Sequence, residues 1–242
     1  MEEVVEFLRV RLHEGAYAAG DRLSPERALA EQLGVARPTL RSALELLRVE
    51  GYLETRRGAF GGTFVTDLSL PARKWVERMQ SNMDELVDIL DFRLAVETFT
   101  VALAAQRRTD DNLAAIEAAV AQLRHLVSQS RLIDPAGAAR SPFHGADSQF
   151  HNAVALASHS RRMAQAVSQA RGQLFSATIR SVYEDIVAAT VEDHQVILDA
   201  VRAQDPEAAR EAMASHLEHG NRRLMQLVRA SAAPPAPGAP GP

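Results

Sequence analysis

Residues 21–65 read DRLSPERALAEQLGVARPTLRSALELLRVEGYLETRRGAFGGTFV, and their pattern decides the fold of the N-terminal part of the chain. Ser24 and Pro25 are typical of a helix start, with Ser24 as the N-cap and Pro25 at the first helical position. Gly34 then supplies a turn, where a positive φ angle is often needed. A second helix is predicted from about Pro38, so the sequence predicts two helices joined by a tight turn.

A short β-ribbon is predicted after the second helix. Tyr52–Thr55 and Thr63–Thr66 have the composition of strands, and the residues between them, RRGAFGG, are rich in arginine and glycine. Two helices, a turn and such a ribbon form a winged helix-turn-helix, which places its second helix in the major groove of DNA. The sequence therefore predicts double-stranded DNA as a partner.

The start of the second helix carries the candidate DNA contacts, because a helix-turn-helix presents those residues to base edges and phosphates. Arg37 and Arg41 are four residues apart and share one face of the helix. Arginine binds guanine or phosphate, although on a single helix the same pair would as readily be a solvated face. The turn, the helical period and the wing together favour DNA. The predicted DNA-binding residues are Arg27, Arg37, Thr39, Arg41, Arg57 and Gly62.

The bulk charge of the chain does not indicate a nucleic-acid partner. The formal net charge is −4, and the first 70 residues contain nine arginines against eleven acidic residues. DNA binding must therefore come from a local face of a few placed side chains rather than from an overall basic domain.

Composition also bounds the compartment and the kinds of site. The chain of 242 residues has no cysteine, which excludes disulfides and thiolate metal ligands. No apolar run approaches the roughly 20 residues of a membrane span. The N-terminal sequence MEEVVEFLRVRLHEG is acidic and amphipathic, unlike a signal peptide, so we expect a cytoplasmic protein.

After the ribbon the pattern becomes almost entirely helical. Residues 69–82 predict a mostly polar linker with one small helix around Trp75. Leucine, valine and alanine then recur with a helical period in six segments: 84–107, 110–129, 144–158, 160–188, 190–203 and 205–229. The predicted fold class is mainly α. It combines an N-terminal winged helix-turn-helix (1–68) with a C-terminal all-α helical bundle for effector binding and dimerisation (83–230), and a disordered Pro/Gly/Ala-rich tail (231–242).

Four residues of the second domain have side chains that suit a divalent metal ion. Asp147 and His151 are four residues apart and would face one side of a helix, and His194 and His216 fall on later helices. A carboxylate and three imidazoles on facing helices can hold an ion and leave positions open for a ligand. No single spacing matches a strong metal motif, however, and each histidine alone is more often a structural or surface residue.

The remaining histidines compete with this set. His144 lies three residues before Asp147 and His219 three residues after His216, and both are interpreted as supporting or solvated residues. Three further histidines are interpreted as surface residues: His13, His125 and His159.

The N-terminal segment closely resembles the winged helix of the GntR family of bacterial transcription regulators. The matching residues are Gly20, Arg22, Leu23, Glu26, Arg27, Leu29, Ala30, Leu33, Gly34, Val35, Arg37, Thr39, Arg41, Ala43, Leu44, Gly51, Arg57, Gly58, Gly62, Thr63, Phe64 and Val65. One departure is that Ser24 and Pro25 stand in the reverse of the family's usual order. The resemblance implies DNA contacts at Arg27, Arg37, Thr39, Arg41 and Gly62.

The second domain resembles the FCD effector domain of the FadR subfamily of these regulators. The resemblance is carried by Arg93 with Glu97, by the run 102–107, by the segments around His151 and His194, and by DPEAAREAMASHL at 205–217. It implies a divalent metal ion, Zn or Ni first, and a small organic acid effector beside it. The implied metal ligands are Asp147, His151, His194 and His216. The candidate effector contacts are Arg93 and Arg180, although Arg93 could equally form a helical pair with Glu97.

These observations leave four hypotheses about function. The leading one is a ligand-responsive bacterial transcription regulator, a repressor without enzyme activity, that binds a palindromic operator as a homodimer. It would sense a small carboxylated metabolite at a metal-assisted pocket. The alternatives are a metal-dependent enzyme with a DNA-binding appendage, a metal sensor, and a metal-free bundle that holds a large acyl ligand. Only Glu192 and Asp193 stand out as a general base for an enzyme, and the complete set of four ligand positions argues against the acyl ligand.

Overall fold

The computed structural model describes residues 1–13, 16–17, 19–58, 60–128, 142–174 and 183–230. Within them the chain forms ten helices and one two-stranded sheet. The N-terminal elements are α1 (Glu2–His13), α2 (Glu26–Leu33), α3 (Arg37–Val49), β1 (Leu53–Arg56), β2 (Gly62–Val65) and α4 (Ser69–Ser81). The C-terminal elements are α5 (Met83–Arg107), α6 (Asp110–Ser128), α7 (Pro142–Ala157), α8 (Arg161–Gly172), α9 (Tyr183–Arg202) and α10 (Pro206–Ala230).

The turn between α2 and α3 depends on Gly34, as the sequence predicts. Gly34 has φ 66° and ψ 29°, and its backbone N–H donates to carbonyl oxygens of the last turn of α2. The predicted N-cap role of Ser24 is wrong. Helix α2 begins at Glu26, one residue later than expected, and Pro25 occupies the cap position with an extended backbone and no side-chain cap. Ser24 therefore stands outside the position from which its hydroxyl could cap the helix.

Helix α3 buries one face and exposes the other. Leu40, Ala43 and Leu47 are fully buried, with the helical spacing that a single apolar stripe requires. The wing follows as an antiparallel pair in which Leu53 lies opposite Val65 and the register continues from there to the wing tip. This unit and the six-helix bundle of α5–α10 confirm the predicted fold class.

The predicted linker is a continuous helix. Helix α4 spans thirteen residues rather than forming one small helix around Trp75, and it buries Trp75 and Met79. Asn82 then ends α4 and caps α5, because its side-chain oxygen accepts a hydrogen bond of 3.3 Å from the backbone N–H of Glu85. The winged unit is therefore connected to the bundle by an ordered, packed segment.

The bundle differs from the predicted helices in one place. The sequence predicts one helix over 160–188, but α8 ends at Gly172 and α9 begins at Tyr183. A glycine is a weak helix former, and Gly172 also lies against α1, where a longer side chain would collide with Val10. No helix within the described ranges is long and apolar enough to cross a membrane.

The winged unit and the bundle share one hydrophobic core. The buried cluster around Leu40 and Leu47 of α3 also contains Leu174, which follows α8, and Leu224 and Val228 of α10. A second cluster fills the bundle itself around Phe143, Phe150 and Ile197. The position of the winged unit is thus fixed by apolar packing as well as by the chain connection.

Two glycine substitutions are expected to change stability in opposite directions. Gly34→Ala places a side chain in a left-handed conformation with open space around it, so only backbone strain acts, and we expect a loss of about 1 kcal/mol. Gly220→Ala lies within α10, again in open space, and should raise stability by up to about 1 kcal/mol. Urea denaturation followed by circular dichroism measures both. A stabilised Gly34→Ala variant would contradict the assigned turn.

Candidate metal centre and nucleic-acid interface

The four predicted metal ligands converge in the bundle. Asp147 and His151 project from α7, His194 from α9 and His216 from α10, and one possible ligand atom from each lies within 4.8 Å of the others. The three imidazoles are buried, with 1%, 0% and 9% of their surface exposed. Residues up to 69 positions apart in the sequence are thus brought to one point by the packing of three helices.

The geometry of the donor atoms fits a single ion. The Nε2 atom of His194 lies 3.4 Å from Nε2 of His151 and 3.4 Å from Oδ1 of Asp147. Two atoms that bind one ion at about 2.1 Å lie roughly 3 to 4 Å apart. Among the described residues the buried Nδ1 atom of His194 has no hydrogen-bond partner, so this ring is not held as a fully hydrogen-bonded core histidine.

A buried carboxylate orients one of the rings. Nδ1–H of His151 donates to Oε2 of Glu97 over 2.5 Å, which leaves the lone pair of Nε2 directed into the cluster. A carboxylate behind a metal-bound histidine fixes the tautomer and increases the basicity of the ligand. Glu97 also accepts a hydrogen bond of 2.8 Å from Nε of Arg93. The sequence predicts Glu97 only as the helical partner of Arg93, and its contact with His151, 54 residues further along the chain, has no signal in the sequence.

The electrostatics keep the imidazoles of His151 and His194 neutral. Burial and the charge of Arg171 lower the pKa of His151 to about 4, against the opposing effect of Glu97. Burial and the neighbouring His216 hold the pKa of His194 well below its usual range. Burial alone raises the pKa of Glu97, but its interaction with His151 and the charges of Arg93 and Arg171 outweigh burial and hold that pKa well below its ordinary value. Neutral imidazoles beside a carboxylate are the protonation state that a metal ion requires.

A pH dependence of stability follows from these shifts. Unfolded histidine takes up a proton near pH 6.5, whereas the folded His151 does so only near pH 4, so the metal-free fold loses stability as the pH falls through this interval. We expect a lower urea midpoint at pH 5 than at pH 7.5 for EDTA-treated protein. Equal midpoints at the two pH values would contradict the buried neutral rings.

The candidate effector arginines have different positions. Arg93 forms the helical pair with Glu97, and its side chain is 14% exposed. Arg180 lies outside the described residues. Arg171, which the sequence analysis did not single out, is buried, and its Nη2 donates to Oδ2 of Asp147 over 2.7 Å. Asp193 approaches Nδ1 of His216 at 3.4 Å and so backs a second ring of the cluster.

The other histidines differ in their exposure to solvent. His219 is largely exposed and lies 3.9 Å from Asp193, while His125 and His159 are exposed as predicted. The side chain of His144 lies outside the description. The prediction that His13 is a surface residue is wrong. It is 5% exposed, because the last turn of α1 packs against Tyr52, just before β1, and against the end of α8.

The predicted DNA-contacting arginines lie on exposed faces of the helix-turn-helix. Arg37 is exposed at the first residue of α3, and Arg27 is 80% exposed on α2, 3.9 Å from Glu31. Arg41 is 66% exposed and donates to Oε2 of Glu26 over 3.0 Å. Glu26 thus holds the guanidinium of Arg41 against the start of α2. Thr39, also predicted, is half-buried.

The wing presents both charge and an apolar tip. Arg57 is exposed, and a Cβ at Gly62 would lie 2.6 Å from Nε of Arg22, so that side chain would have to shift. Arg56 stacks 4.3 Å over the ring of Phe64. Phe60 is 92% exposed near the wing tip, an apolar group that the sequence analysis passed over.

Both units of the chain match models of known protein families. Residues 1–65 match the model of the bacterial regulatory proteins of the gntR family, and residues 88–219 match that of the FCD domain. The Uxu operon transcriptional regulator of Escherichia coli is 30% identical over 239 residues, covering 93% of this chain and 87% of that protein. The "Putative L-lactate dehydrogenase operon regulatory protein" of E. coli is 33% identical over 234 residues, covering 89% and 83%.

The fold has solved counterparts. E. coli McbR/YncC superposes with a TM-score of 0.57 at 21% identity, covering 93% of this chain and 96% of that one, which shows a shared fold. The relatives are named as transcriptional regulators, so the protein is a regulator and not an enzyme. The chain belongs to the GntR family of bacterial transcription regulators, in the FadR-like subfamily that joins a winged helix-turn-helix to an FCD ligand-binding domain.

Proposed function

We propose that this chain is a metal-dependent repressor that binds a palindromic operator as a homodimer and releases it when a small carboxylated metabolite binds the bundle. The observation that carries the proposal is the buried cluster of Asp147, His151, His194 and His216, whose donor atoms face one another. Such a cluster is costly to bury without a positive charge at its centre. Its N and O donors suit Zn²⁺ or Ni²⁺.

The charges around the cluster favour an acidic effector. The metal ligands and their ion-pair partners contribute three carboxylates, Asp147, Glu97 and Asp193, and two guanidinium groups. This set has a formal charge of −1, which a divalent ion would change to +1. A carboxylate bound beside the ion would neutralise that charge in a low-dielectric interior. The ion supplies the positive charge and the open coordination positions for such a group.

The protein itself would hold the effector through Arg93. Its Nε is engaged by Glu97, and within the described part of the chain this leaves the Nη donors of a largely buried guanidinium available. Arg180 is kept as a second candidate from the sequence. One relative is named for an L-lactate dehydrogenase operon, and L-lactate is therefore the first acid to test.

A homodimer is supported by an apolar face on α5. Phe92 and Phe99 are 38% and 56% exposed, and their spacing of seven residues places both rings on one side of the helix. A second copy of the chain would cover this face, and its two-fold axis would present two α3 helices to successive major grooves. The effector would act by favouring one arrangement of these two helices over another.

The test is a fluorescence anisotropy titration of the full-length protein on the DNA upstream of its own gene. We expect specific binding at moderate salt, with weaker binding after addition of L-lactate or a related hydroxy acid in the presence of Zn²⁺. The same titration after EDTA treatment should lose the response to the acid. Binding that does not distinguish this DNA from a scrambled duplex would overturn the proposal, whereas release by the metal alone would identify a metal sensor.

A further inference from the structure

The C-terminal end of α8 contacts the metal cluster, the winged unit and α4 within three consecutive residues. Arg171 faces the metal cluster, whereas the backbone carbonyls of Gly172 and Gln173 accept hydrogen bonds from the winged unit and from α4. The sequence predicts an uninterrupted helix through this segment, whereas in the structure α8 ends at Gly172.

Arg171 is the link to the metal cluster. Its Nη2 donates to Oδ2 of Asp147 over 2.7 Å, on the carboxylate whose other oxygen faces His151 and His194. Its Nη1 lies 3.6 Å from Oε1 of Glu97, the carboxylate that orients His151. Because one buried guanidinium contacts both carboxylates, a change in the position of either carboxylate displaces Arg171 and with it the end of α8.

Gly172 is the link to the winged unit. Nδ1–H of His13 donates to the carbonyl oxygen of Gly172 over 2.7 Å, and Nε2 of the same ring accepts from the hydroxyl of Tyr52 over 2.9 Å. The backbone N–H of Tyr52 in turn donates to the carbonyl of Leu47 in α3 over 2.8 Å. A side chain at position 172 would collide with Val10, so α1 and α8 are in close contact here.

Gln173 is the link to the connecting helix. The indole Nε1 of Trp75 donates to the carbonyl of Gln173 over 3.1 Å, and the ring is 5% exposed in the core shared by the two units. Trp75 is the single tryptophan of the chain. Its emission therefore reports directly on this contact.

We propose that Arg171–Gln173 couples the metal-and-effector pocket to the DNA-binding unit, with Arg171 as the positioning residue and His13 as the contact that carries the change toward α3. The inference rests on the proposed function, because it needs a metal ion at Asp147. Metal binding at the cluster displaces Asp147 and therefore Arg171, which is hydrogen-bonded to it. The carbonyl groups of Gly172 and Gln173 then move relative to His13 and Trp75. A shift there biases the orientation of α3 relative to the bundle.

The test uses Trp75 emission and metal content in the same samples. Zn²⁺ is titrated into EDTA-treated full-length protein, and bound zinc is measured by mass spectrometry after desalting. We expect one zinc per chain and a saturable change in the intensity or wavelength of Trp75 emission. In Arg171→Lys the ammonium keeps the charge but cannot bridge two carboxylates, so zinc should still bind while the emission change falls at least about twofold.

A matched control is Arg107→Lys. Arg107 also makes a contact within the bundle, a hydrogen bond of 3.2 Å from Nη1 to the carbonyl of Ser158 just after α7, but it lies ten residues beyond Glu97 on α5. Its emission change should match that of the wild type. Zinc that fails to bind the wild type refutes the proposed metal centre. Zinc that binds with unaltered Trp75 emission, or with an equal response in Arg171→Lys, overturns the coupling alone.

A second variant tests the contact on the side of the DNA-binding unit. Tyr52→Phe removes the hydroxyl that donates to His13 and keeps the ring in its packing place. We expect the zinc-induced Trp75 change to persist, because the α8 contacts are intact, while operator affinity becomes at least about threefold less sensitive to zinc and L-lactate together. An unchanged sensitivity in this variant would remove His13 from the coupling route.

Discussion

The His194→Ala variant is expected to lose tight metal binding. His194 contributes the donor that lies closest to both His151 and Asp147, at 3.4 Å from each, and its side chain is fully buried. Changes behind a metal ligand typically weaken binding by 10- to 100-fold, so removal of a ligand itself should cost more than about 100-fold. After dialysis the variant should hold well under one zinc per chain, and it should no longer respond to an acid effector.

The control for this variant is His219→Ala. His219 follows His216 on α10 but is largely exposed and lies 3.9 Å from Asp193, outside the set of four donors. Its metal content should equal that of the wild type. Operator binding by metal-free His194→Ala should also stay near that of the metal-free wild type, which separates loss of the ion from loss of the fold. Full zinc occupancy in His194→Ala would remove the assignment of this ligand set.

The second large effect is expected from Arg37→Ala on operator binding. Arg37 is exposed at the first turn of α3, where a recognition helix meets base edges, and a bidentate contact to guanine contributes about 1–3 kcal/mol. Operator affinity should fall by about 10- to 100-fold while binding to a scrambled duplex changes much less. Anisotropy titrations on both duplexes measure the ratio.

Arg48→Ala is the matched control, since Arg48 has the same charge on the same helix but lies at its far end. Its side chain is 45% exposed and is paired with Glu45. We expect less than about a threefold effect on operator affinity. Salt titrations separate the two kinds of contact, because a phosphate contact lowers the slope of log affinity against log salt by about one. Equal losses in the two variants would mean that Arg37 contributes only general positive charge.

Local pattern was sufficient for the helix-turn-helix. Gly34 predicts the turn because its left-handed conformation is a property of one residue, and Leu40 with Leu47 predicts the buried face because a helix has a fixed period. Ser24 shows the limit of the same reasoning. A shift of one residue in the helix start, with Pro25 at the cap, was enough to make its predicted role wrong.

Residues that meet across the fold were harder to predict. The set of four metal ligands came from the i,i+4 pair Asp147 and His151 together with a family resemblance, and the structure brings all four together. His13 gave no comparable signal, because its partner Gly172 is 159 residues away and contributes only a backbone carbonyl. Arg171 was missed because it lies on a helix whose predicted end was sixteen residues too late.

The shared core limits how freely this protein's parts can be exchanged with those of its relatives. The packing beneath α3 is completed by Leu224 and Val228, which belong to the last helix of the chain. A chimera that joins residues 1–82 to a foreign effector domain would bring the DNA-reading surface but leave that packing unfilled. The DNA-binding unit and the effector domain are therefore not independently interchangeable. A functional hybrid must reproduce the apolar stripe of α10 as well as the linker.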